Sequence, residues 1–99
     1  MVSGYKILWT NHALKELKQT YEYLEIHFTS RELEKLSSEL EHTLKLISQN
    51  PELFPICDSR KIRKVVILKF NSLYYRVHNN QVEILSFFSN RQHPNKRKL

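Results

Sequence analysis

Residues 73–88, LYYRVHNNQVEILSFF, decide the fold because they predict two antiparallel β-strands joined by a tight turn. Apolar and polar side chains alternate in the first strand, so one face of the predicted sheet carries Tyr74, Arg76 and His78. The two asparagines at positions 79–80 suit a type I′ turn, because asparagine tolerates positive φ. The second strand, QVEILSFF, is apolar enough near its end to be buried on both faces.

Two further strands are predicted upstream of this hairpin. Residues 62–68, IRKVVIL, are rich in β-branched side chains, and residues 5–9, YKILW, form a short apolar run of β-formers. Residues 51–59 contain two prolines and several turn-forming residues, which indicates a loop before the third-from-last strand.

Two amphipathic helices are predicted between the first strand and this loop. The first follows Thr10 and Asn11, which are good N-cap residues. Its apolar stripe, at helical spacing, consists of Leu14, Leu17, Tyr21, Leu24 and Phe28. The stripe of the second helix consists of Leu33, Leu36, Leu40, Leu44 and Ile47. Because only about two residues separate the helices, they should fold back as an antiparallel hairpin.

The second helix opens with a capping-box pattern, Thr29 followed three residues later by Glu32. In this motif the Thr hydroxyl accepts a hydrogen bond from the third backbone amide of the helix. A leucine stripe could instead form a dimerising coiled coil, but this one is shorter than the roughly three to four heptads that such a seam needs. A helix pair that faces the core is therefore favoured.

The predicted order of elements is β-α-α-β-β-β. Two amphipathic helices can cover one face of an antiparallel sheet, so we expect an α+β fold with a helical hairpin packed on one face of a mainly antiparallel sheet. With 40% hydrophobic residues, residues 1–99 are long enough to bury one core and are expected to form a single domain. A polar, basic tail is predicted from about residue 90, in residues 90–99.

Charge is divided unevenly along the chain. Residues 1–59 hold six Lys and Arg against nine Asp and Glu, whereas residues 60–99 hold ten basic side chains and one acid, Glu83. Such asymmetry suggests a polyanionic or acidic partner, with nucleic acid and an acidic protein as the leading candidates. The alternative is a solvated basic surface without a specific partner.

Several classes of protein are disfavoured by composition. The chain has no run of about 18 apolar residues, and its opening apolar run is too short for a secretory signal. Cys57 is the single cysteine, so an internal disulfide is impossible and a reducing cytoplasm fits best. The five histidines lie too far apart in sequence for a metal pair at helical spacing. We expect a cytoplasmic protein with no metal, no other cofactor and no membrane partner.

The predicted order, the step Tyr75-Arg76-Val77 and the segment ILSFFSNRQHPNK (84–96) resemble the RelE/ParE superfamily, small bacterial toxins of type II toxin–antitoxin systems. The resemblance covers nearly the whole chain. It implies a cognate antitoxin as partner and a possible toxin–antitoxin hetero-oligomer. RelE-like members cut messenger RNA in the ribosomal decoding site, whereas ParE-like members poison DNA gyrase and are not nucleases.

RelE-like chemistry would need no metal, because the RNA 2′-OH attacks its own phosphodiester while the protein supplies a base, an acid and cations. By position, the resemblance implies that Arg76 and Arg91 match two arginines of the RelE-like group. Lysines that hold RNA have possible counterparts at Lys61, Lys64 and Lys69. His93 is a candidate general base, since histidine titrates near neutral pH.

RelE-like enzymes usually carry a Tyr, or a His-Tyr pair, in the C-terminal tail, and no Tyr follows Phe88 here. This departure from the pattern favours the ParE-like group. Arg76, between Tyr74 and His78, would form a cationic and aromatic platform suited to a phosphate or a base. The alternatives for Arg76 are a cross-strand ion pair with an acid such as Glu83 and cation–π packing on Tyr74.

We therefore predict a growth-inhibiting toxin of the ParE-like, plasmid-stabilisation type that blocks DNA gyrase and is neutralised by a cognate antitoxin. The alternatives are a RelE-like, ribosome-dependent messenger RNA endoribonuclease and a decayed toxin that only binds its antitoxin. The residues predicted to bind the target or nucleic acid are Lys61, Arg63, Lys64, Lys69 and Tyr74. If RelE-like chemistry applies, the predicted catalytic residues are Arg76, Arg91 and His93.

Overall fold

A computed structural model describes residues 4–90 of the chain. Its elements, in chain order, are β1 (Lys6–Trp9), α1 (Asn11–His27), α2 (Ser30–Gln49), β2 (Arg63–Ile67), β3 (Asn71–His78) and β4 (Gln81–Ser89). The predicted β-α-α-β-β-β order and the α+β class are confirmed. Within the described range, no helix is long and apolar enough to cross a membrane.

The four strands form one mixed sheet in the order β1-β4-β3-β2. The pairs β2–β3 and β3–β4 are antiparallel, and β1 lies parallel to β4 at the other edge. Asn79 and Asn80 have φ of 49° and 63°, which matches the predicted type I′ turn between β3 and β4. The prediction of a mainly antiparallel sheet is therefore correct.

The β3–β4 ladder contains one irregularity. Tyr74 pairs with Ser86 and Tyr75 pairs with Ile84, so Leu85 has no residue opposite it. A β-bulge of this kind bends the strand and redirects the side chains beside it. As a result, Leu85 and Ser86 both lie between the buried residues Ile84 and Phe87 of β4.

The core lies between the sheet and the two helices. Its fully buried side chains include Leu36 and Ile47 from α2 and Leu73, Tyr75, Val82, Ile84 and Phe87 from the sheet. Tyr75 is polar, but its hydroxyl donates a hydrogen bond of 2.7 Å to the carbonyl oxygen of Pro51. Burial raises the pKa of Tyr75, and the positive charge of Arg63 and a backbone hydrogen bond from Phe54 offset this only in part.

Helix α1 begins at the predicted cap, because the Thr10 hydroxyl accepts a hydrogen bond from the Ala13 amide. Its predicted stripe is only partly correct. Leu24 is buried, whereas Leu14 is 47% exposed and Phe28 is 39% exposed. Small residues decide the buried face instead, since Ala13 and Thr20 let the helix approach β4 closely.

Helix α2 buries much of its predicted stripe, with Leu36, Leu40 and Ile47 in the core. The predicted hydroxyl bond of the capping box is wrong. Thr29 is the N-cap residue, but its side chain makes no capping hydrogen bond. The Glu32 amide instead donates to the backbone carbonyl of Thr29, at 3.1 Å. The helix therefore begins at the predicted position with a backbone bond in place of the side-chain bond.

Candidate functional site

The sheet face opposite the core carries an open groove of about 790 Å³, which we call the sheet-face groove. Lys64, Tyr74 and Arg76 line it because they alternate along their strands with residues of the core face. The full lining consists of His12, Cys57, Asp58, Arg60, Ile62, Lys64, Tyr74, Arg76, Leu85 and Ser86. Three of the predicted site residues thus share one surface.

Lys64 and Tyr74 lie directly opposite each other in the β2–β3 ladder. The ammonium of Lys64 lies 5.8 Å from the centre of the Tyr74 ring, within the range of a cation–π contact. Tyr74 is only half-buried, so part of its ring remains accessible in the groove. The pair combines a positive charge with an aromatic surface, which can serve a protein partner or a nucleic-acid base.

Arg76 is held by an ion pair. It lies opposite Glu83 in the β3–β4 ladder, and its Nε donates to Glu83 Oε1 at 2.8 Å. The Arg76 side chain is 50% exposed and that of Glu83 is 33% exposed. Of the two alternative roles predicted for Arg76, the cross-strand ion pair with Glu83 is therefore present. The hydrogen bond that Nε donates uses one of the five donors of the guanidinium.

A second arginine at the groove is also paired. Arg60 donates to Asp58 Oδ2 through Nε at 3.1 Å and through Nη2 at 3.0 Å. Desolvation alone would raise the pKa of Asp58, but hydrogen bonds from the Ile62 amide and from Arg60 outweigh it, so the pKa is lowered. Asp58 therefore stays ionised and organises the loop that forms this wall of the groove.

The other wall is built where β1 stops. The chain leaves the sheet after Trp9, so the outer edge of β4 loses its strand neighbour. Thr10, the next residue, still bonds to this edge, because its amide and its hydroxyl both donate to the Ile84 carbonyl, at 3.1 and 2.9 Å. One turn into α1, Glu16 Oε1 accepts hydrogen bonds from the Phe87 amide at 2.8 Å and from another β4 residue.

That other donor is the Ser86 hydroxyl, 2.7 Å from the same Glu16 oxygen. His12 Nε2 lies 3.3 Å from this oxygen as well. Ser86 and His12 line the groove, so Glu16 fixes the position of this wall. The Ser86 hydroxyl directs its proton at the Glu16 carboxylate, so this contact fixes the junction of α1 and β4 and is structural.

Arg63 lies outside the sheet-face groove. It pairs with Tyr75 in the ladder and shares the core side of the sheet. Its Nη1 donates to the Phe54 carbonyl at 2.6 Å and reaches the Glu52 carbonyl at 3.4 Å. These contacts hold the loop before β2 against the sheet, so Arg63 has a clear structural role.

The remaining predicted residues are dispersed. Lys61 is exposed in the loop before β2 with φ of 64°. Lys69, with φ of 70°, lies in the β2–β3 turn, where it lines a separate cavity of about 370 Å³ beside the start of α2. Arg91 and His93 lie outside the described residues, as does nearly all of the predicted basic tail. Within residues 4–90, no group of three or more potential metal ligands is present.

The comparisons with known proteins agree with this fold. A sequence model of the family described as "ParE toxin of type II toxin-antitoxin system, parDE" matches residues 7–94. The chain belongs to the ParE toxin family. The resemblance to the RelE/ParE superfamily is thereby confirmed, and the toxin class predicted from sequence is correct. A comparison with curated proteins gave no match.

A solved structure supports the fold of this family member. The chain is similar to one in "Chromosomal ParDE TA system from P. aeruginosa", with a TM-score of 0.72 and 17% sequence identity. The match covers 86% of this chain and 95% of the other. At this identity the likeness concerns the arrangement of helices and strands.

Sequence reasoning missed several residues of the groove in this ParE-family chain. The sequence predicts only a loop at Asp58 and a general excess of basic residues from Arg60 onwards, although the Asp-x-Arg spacing is a signal for a local ion pair. Glu16 and Ser86 are 70 positions apart, and no sequence pattern connects them. Leu85 enters the groove through the β-bulge, and the adjacent apolar residues Ile84 and Leu85, which interrupt the alternation of this strand, are the sequence signal for it.

Proposed function

We propose that this chain is the toxin of a type II toxin–antitoxin pair, that it inhibits growth by blocking DNA gyrase, and that a cognate antitoxin neutralises it. Membership of the ParE toxin family supports the toxin class. The observation that carries the choice of a protein target is the pairing of both groove arginines. Arg60 is bound to Asp58 and Arg76 to Glu83.

Pairing matters because nucleic acids are bound mainly through uncompensated cations. Each phosphate contact gains from the release of a counterion, and a cation that already has a carboxylate partner gains less. Lys64 differs from the two arginines of the groove, because its ammonium contacts the Tyr74 ring. A balanced surface with an accessible tyrosine is typical of protein–protein interfaces, where aromatic side chains and arginines supply much of the affinity.

The tail composition supports the same choice. A RelE-like nuclease must move protons during 2′-OH attack, and the chain has no tyrosine after Tyr75. The observation that favours the nuclease is the shared position of Lys64, Tyr74 and Arg76 on one strand face. Messenger RNA cleavage therefore remains the second candidate, and the experiment below separates the two.

Neutralisation by the antitoxin would follow from coverage of the same face. Val66, which lies on the same face of β2 as Lys64, is 53% exposed, so this part of the sheet face is uncovered within residues 4–90. An amphipathic segment with acidic side chains would match the apolar side chains of Val66 and Leu85 and the excess of cations in residues 60–90. In this proposal the antitoxin and the target compete for one surface.

The test measures both activities on the purified chain. DNA supercoiling by gyrase is assayed with rising amounts of the wild type, Lys64→Glu and Lys45→Glu. Lys45 is exposed on α2 and gives the same charge change away from the groove. We expect the wild type and Lys45→Glu to inhibit supercoiling, and Lys64→Glu to inhibit it at least about tenfold more weakly, as expected for a central interface residue.

The matched experiment adds the same proteins to translating ribosomes and maps messenger RNA ends. Intact messages together with blocked supercoiling would support the proposal. Cleaved messages with unaffected supercoiling would overturn it in favour of the RelE-like activity. Intact messages together with unaffected supercoiling would overturn both target activities and identify a chain that only binds its antitoxin.

A further inference from the structure

Glu83 is the one acid among residues 60–99, which carry ten basic side chains. The fold places this acid directly opposite Arg76, with Oε1 2.8 Å from Nε. Both side chains are partly exposed on the sheet-face groove side, so the pair does not lie in the core. The one acidic side chain of residues 60–99 thus forms an ion pair with an arginine of the candidate site.

We propose that Glu83 is a specificity-determining residue, which holds Arg76 so that the sheet face rejects single-stranded nucleic acid and remains available to a protein partner. The inference rests on the proposed function, since it assumes a protein target for this face. It concerns a property that the proposed function does not require, namely how a face with aromatic and basic residues avoids RNA and DNA.

The geometry explains the rejection. A phosphate that approaches the Arg76 guanidinium comes close to the Glu83 carboxylate that is already bound to it. The two anions repel each other in a partly desolvated groove. Specificity of this kind depends on an element that disfavours the wrong partner. A protein partner can place a neutral hydrogen-bond acceptor, such as a backbone carbonyl, on the free guanidinium donors without this repulsion.

Asp58 has the same relation to Arg60 across the groove, so the arrangement occurs twice. The two acids differ in their backbone contacts. Asp58 also accepts hydrogen bonds from the amides of Arg60 and Ile62, which makes it necessary to the loop. Glu83 makes no comparable backbone contact within residues 4–90, and an exposed cross-strand ion pair contributes little to stability. Stability therefore explains Asp58 but does not explain Glu83.

The experiment measures binding of a fluorescein-labelled 12-nucleotide oligo(U) RNA to the full chain by anisotropy over a range of salt concentrations. The variants are Glu83→Gln, which keeps the shape of the side chain, the double variant Glu83→Gln/Arg76→Gln, and Glu41→Gln. Glu41 is exposed on α2 and controls for the change in net charge. Circular dichroism checks that each variant is folded.

We expect Glu83→Gln to bind the RNA about 5- to 10-fold more tightly at low salt, with a log–log salt slope steeper by about 0.7, the value for one added phosphate contact on a single strand. The double variant should return to the wild-type affinity, and Glu41→Gln should change it by less than about twofold. An equal gain in Glu83→Gln and Glu41→Gln, or a gain that survives in the double variant, would overturn the proposal.

The RNA assay uses no gyrase, so its result is independent of the supercoiling assay. If gyrase is not the target, the wild type leaves supercoiling unchanged. Failure of the role of Glu83 appears as unchanged RNA affinity of Glu83→Gln.

Discussion

Tyr75 connects three parts of the molecule through one side chain. It lies in β3, its ring is fully buried in the core, and its hydroxyl donates to the Pro51 carbonyl at the end of α2. Arg63 stands beside it in the ladder and holds the carbonyls of the following loop. The loop that carries Asp58 and Arg60 is therefore fixed to the core at its start, which gives the sheet-face groove a rigid wall.

The pH dependence of stability should report on Tyr75. Its pKa in the folded state is raised above the ordinary value of about 10. The raised pKa contributes stability that is fully present below about pH 10 and is lost as the pH rises through the folded-state pKa, because the unfolded chain gives up this proton first. We expect urea unfolding midpoints to fall more steeply between pH 9 and pH 11 in the wild type than in Tyr75→Phe.

At pH 7.5, where the phenol is protonated in both states, Tyr75→Phe should lower the free energy of unfolding by about 1 kcal/mol, the net value of one hydrogen bond. Tyr23→Phe, on the half-buried outer part of α1, serves as the control. Equal alkaline slopes for the wild type and Tyr75→Phe would contradict this account.

At the scale of elements, helix α1 supplies a hydrogen-bond acceptor to the edge of β4 beyond the point where β1 ends. The β1–β4 pairing ends at Trp9 and Ile84, and the next outward-facing donor of β4 is the Phe87 amide. Glu16 satisfies that donor and the Ser86 hydroxyl with one carboxylate oxygen. The bulge at Leu85 brings both donors to this oxygen, so bulge and carboxylate belong to one arrangement.

Removal of the Glu16 carboxylate should therefore loosen the junction between α1 and β4. We expect Glu16→Ala to lower the free energy of unfolding by about 1–3 kcal/mol, because the Phe87 amide then lacks its partner in a partly buried place. Glu22→Ala, an exposed position on the same helix, should change it by less than about 0.5 kcal/mol. Hydrogen exchange of the Phe87 amide should accelerate in Glu16→Ala only.

Equal exchange of this amide in the wild type and Glu16→Ala would show that Glu16 does not hold the edge of β4. Equal destabilisation by the two substitutions would instead point to a general effect on the helix.

The elements themselves were largely predictable, for physical reasons that differ between helix and sheet. The asparagine pair fixes the β3–β4 turn, and the leucine stripe of α2 has a strict helical period. In α1 the predicted stripe is correct at Leu17, Tyr21 and Leu24, which contact the core, but wrong at Leu14, because small side chains occupy the closest approach to β4. Pairing order is set by tertiary contacts, so the parallel contact of β1 with β4 was not specified by any local pattern.

For the whole molecule, sequence indicated where the charge lies but not how it is balanced. The excess of basic residues after position 59 predicts a basic face, and Lys64, Tyr74 and Arg76 do share the sheet-face groove. The distribution of the acids could not be read from composition. Asp58 comes from the loop and Glu83 from the neighbouring strand, and each forms an ion pair with one of the two groove arginines.

The net charge of +6 should still govern how fast a partner arrives. Long-range attraction depends on total charge, whereas the final contact depends on the balanced groove. If the proposed antitoxin presents an acidic segment, its association rate constant with this chain should fall about tenfold or more between 50 and 500 mM NaCl, with a smaller change in the dissociation rate constant.

Stopped-flow measurements on the wild type, Lys64→Glu and Lys45→Glu separate the two contributions. Both substitutions change the net charge by the same amount, so both should slow association at low salt to a similar extent. Only Lys64→Glu should also speed dissociation, because Lys64 lies in the groove and Lys45 lies on α2. Faster dissociation of both variants, or of neither, would mean that the antitoxin does not occupy the sheet-face groove, since a bound partner responds to the loss of a contact and not to charge elsewhere on the surface.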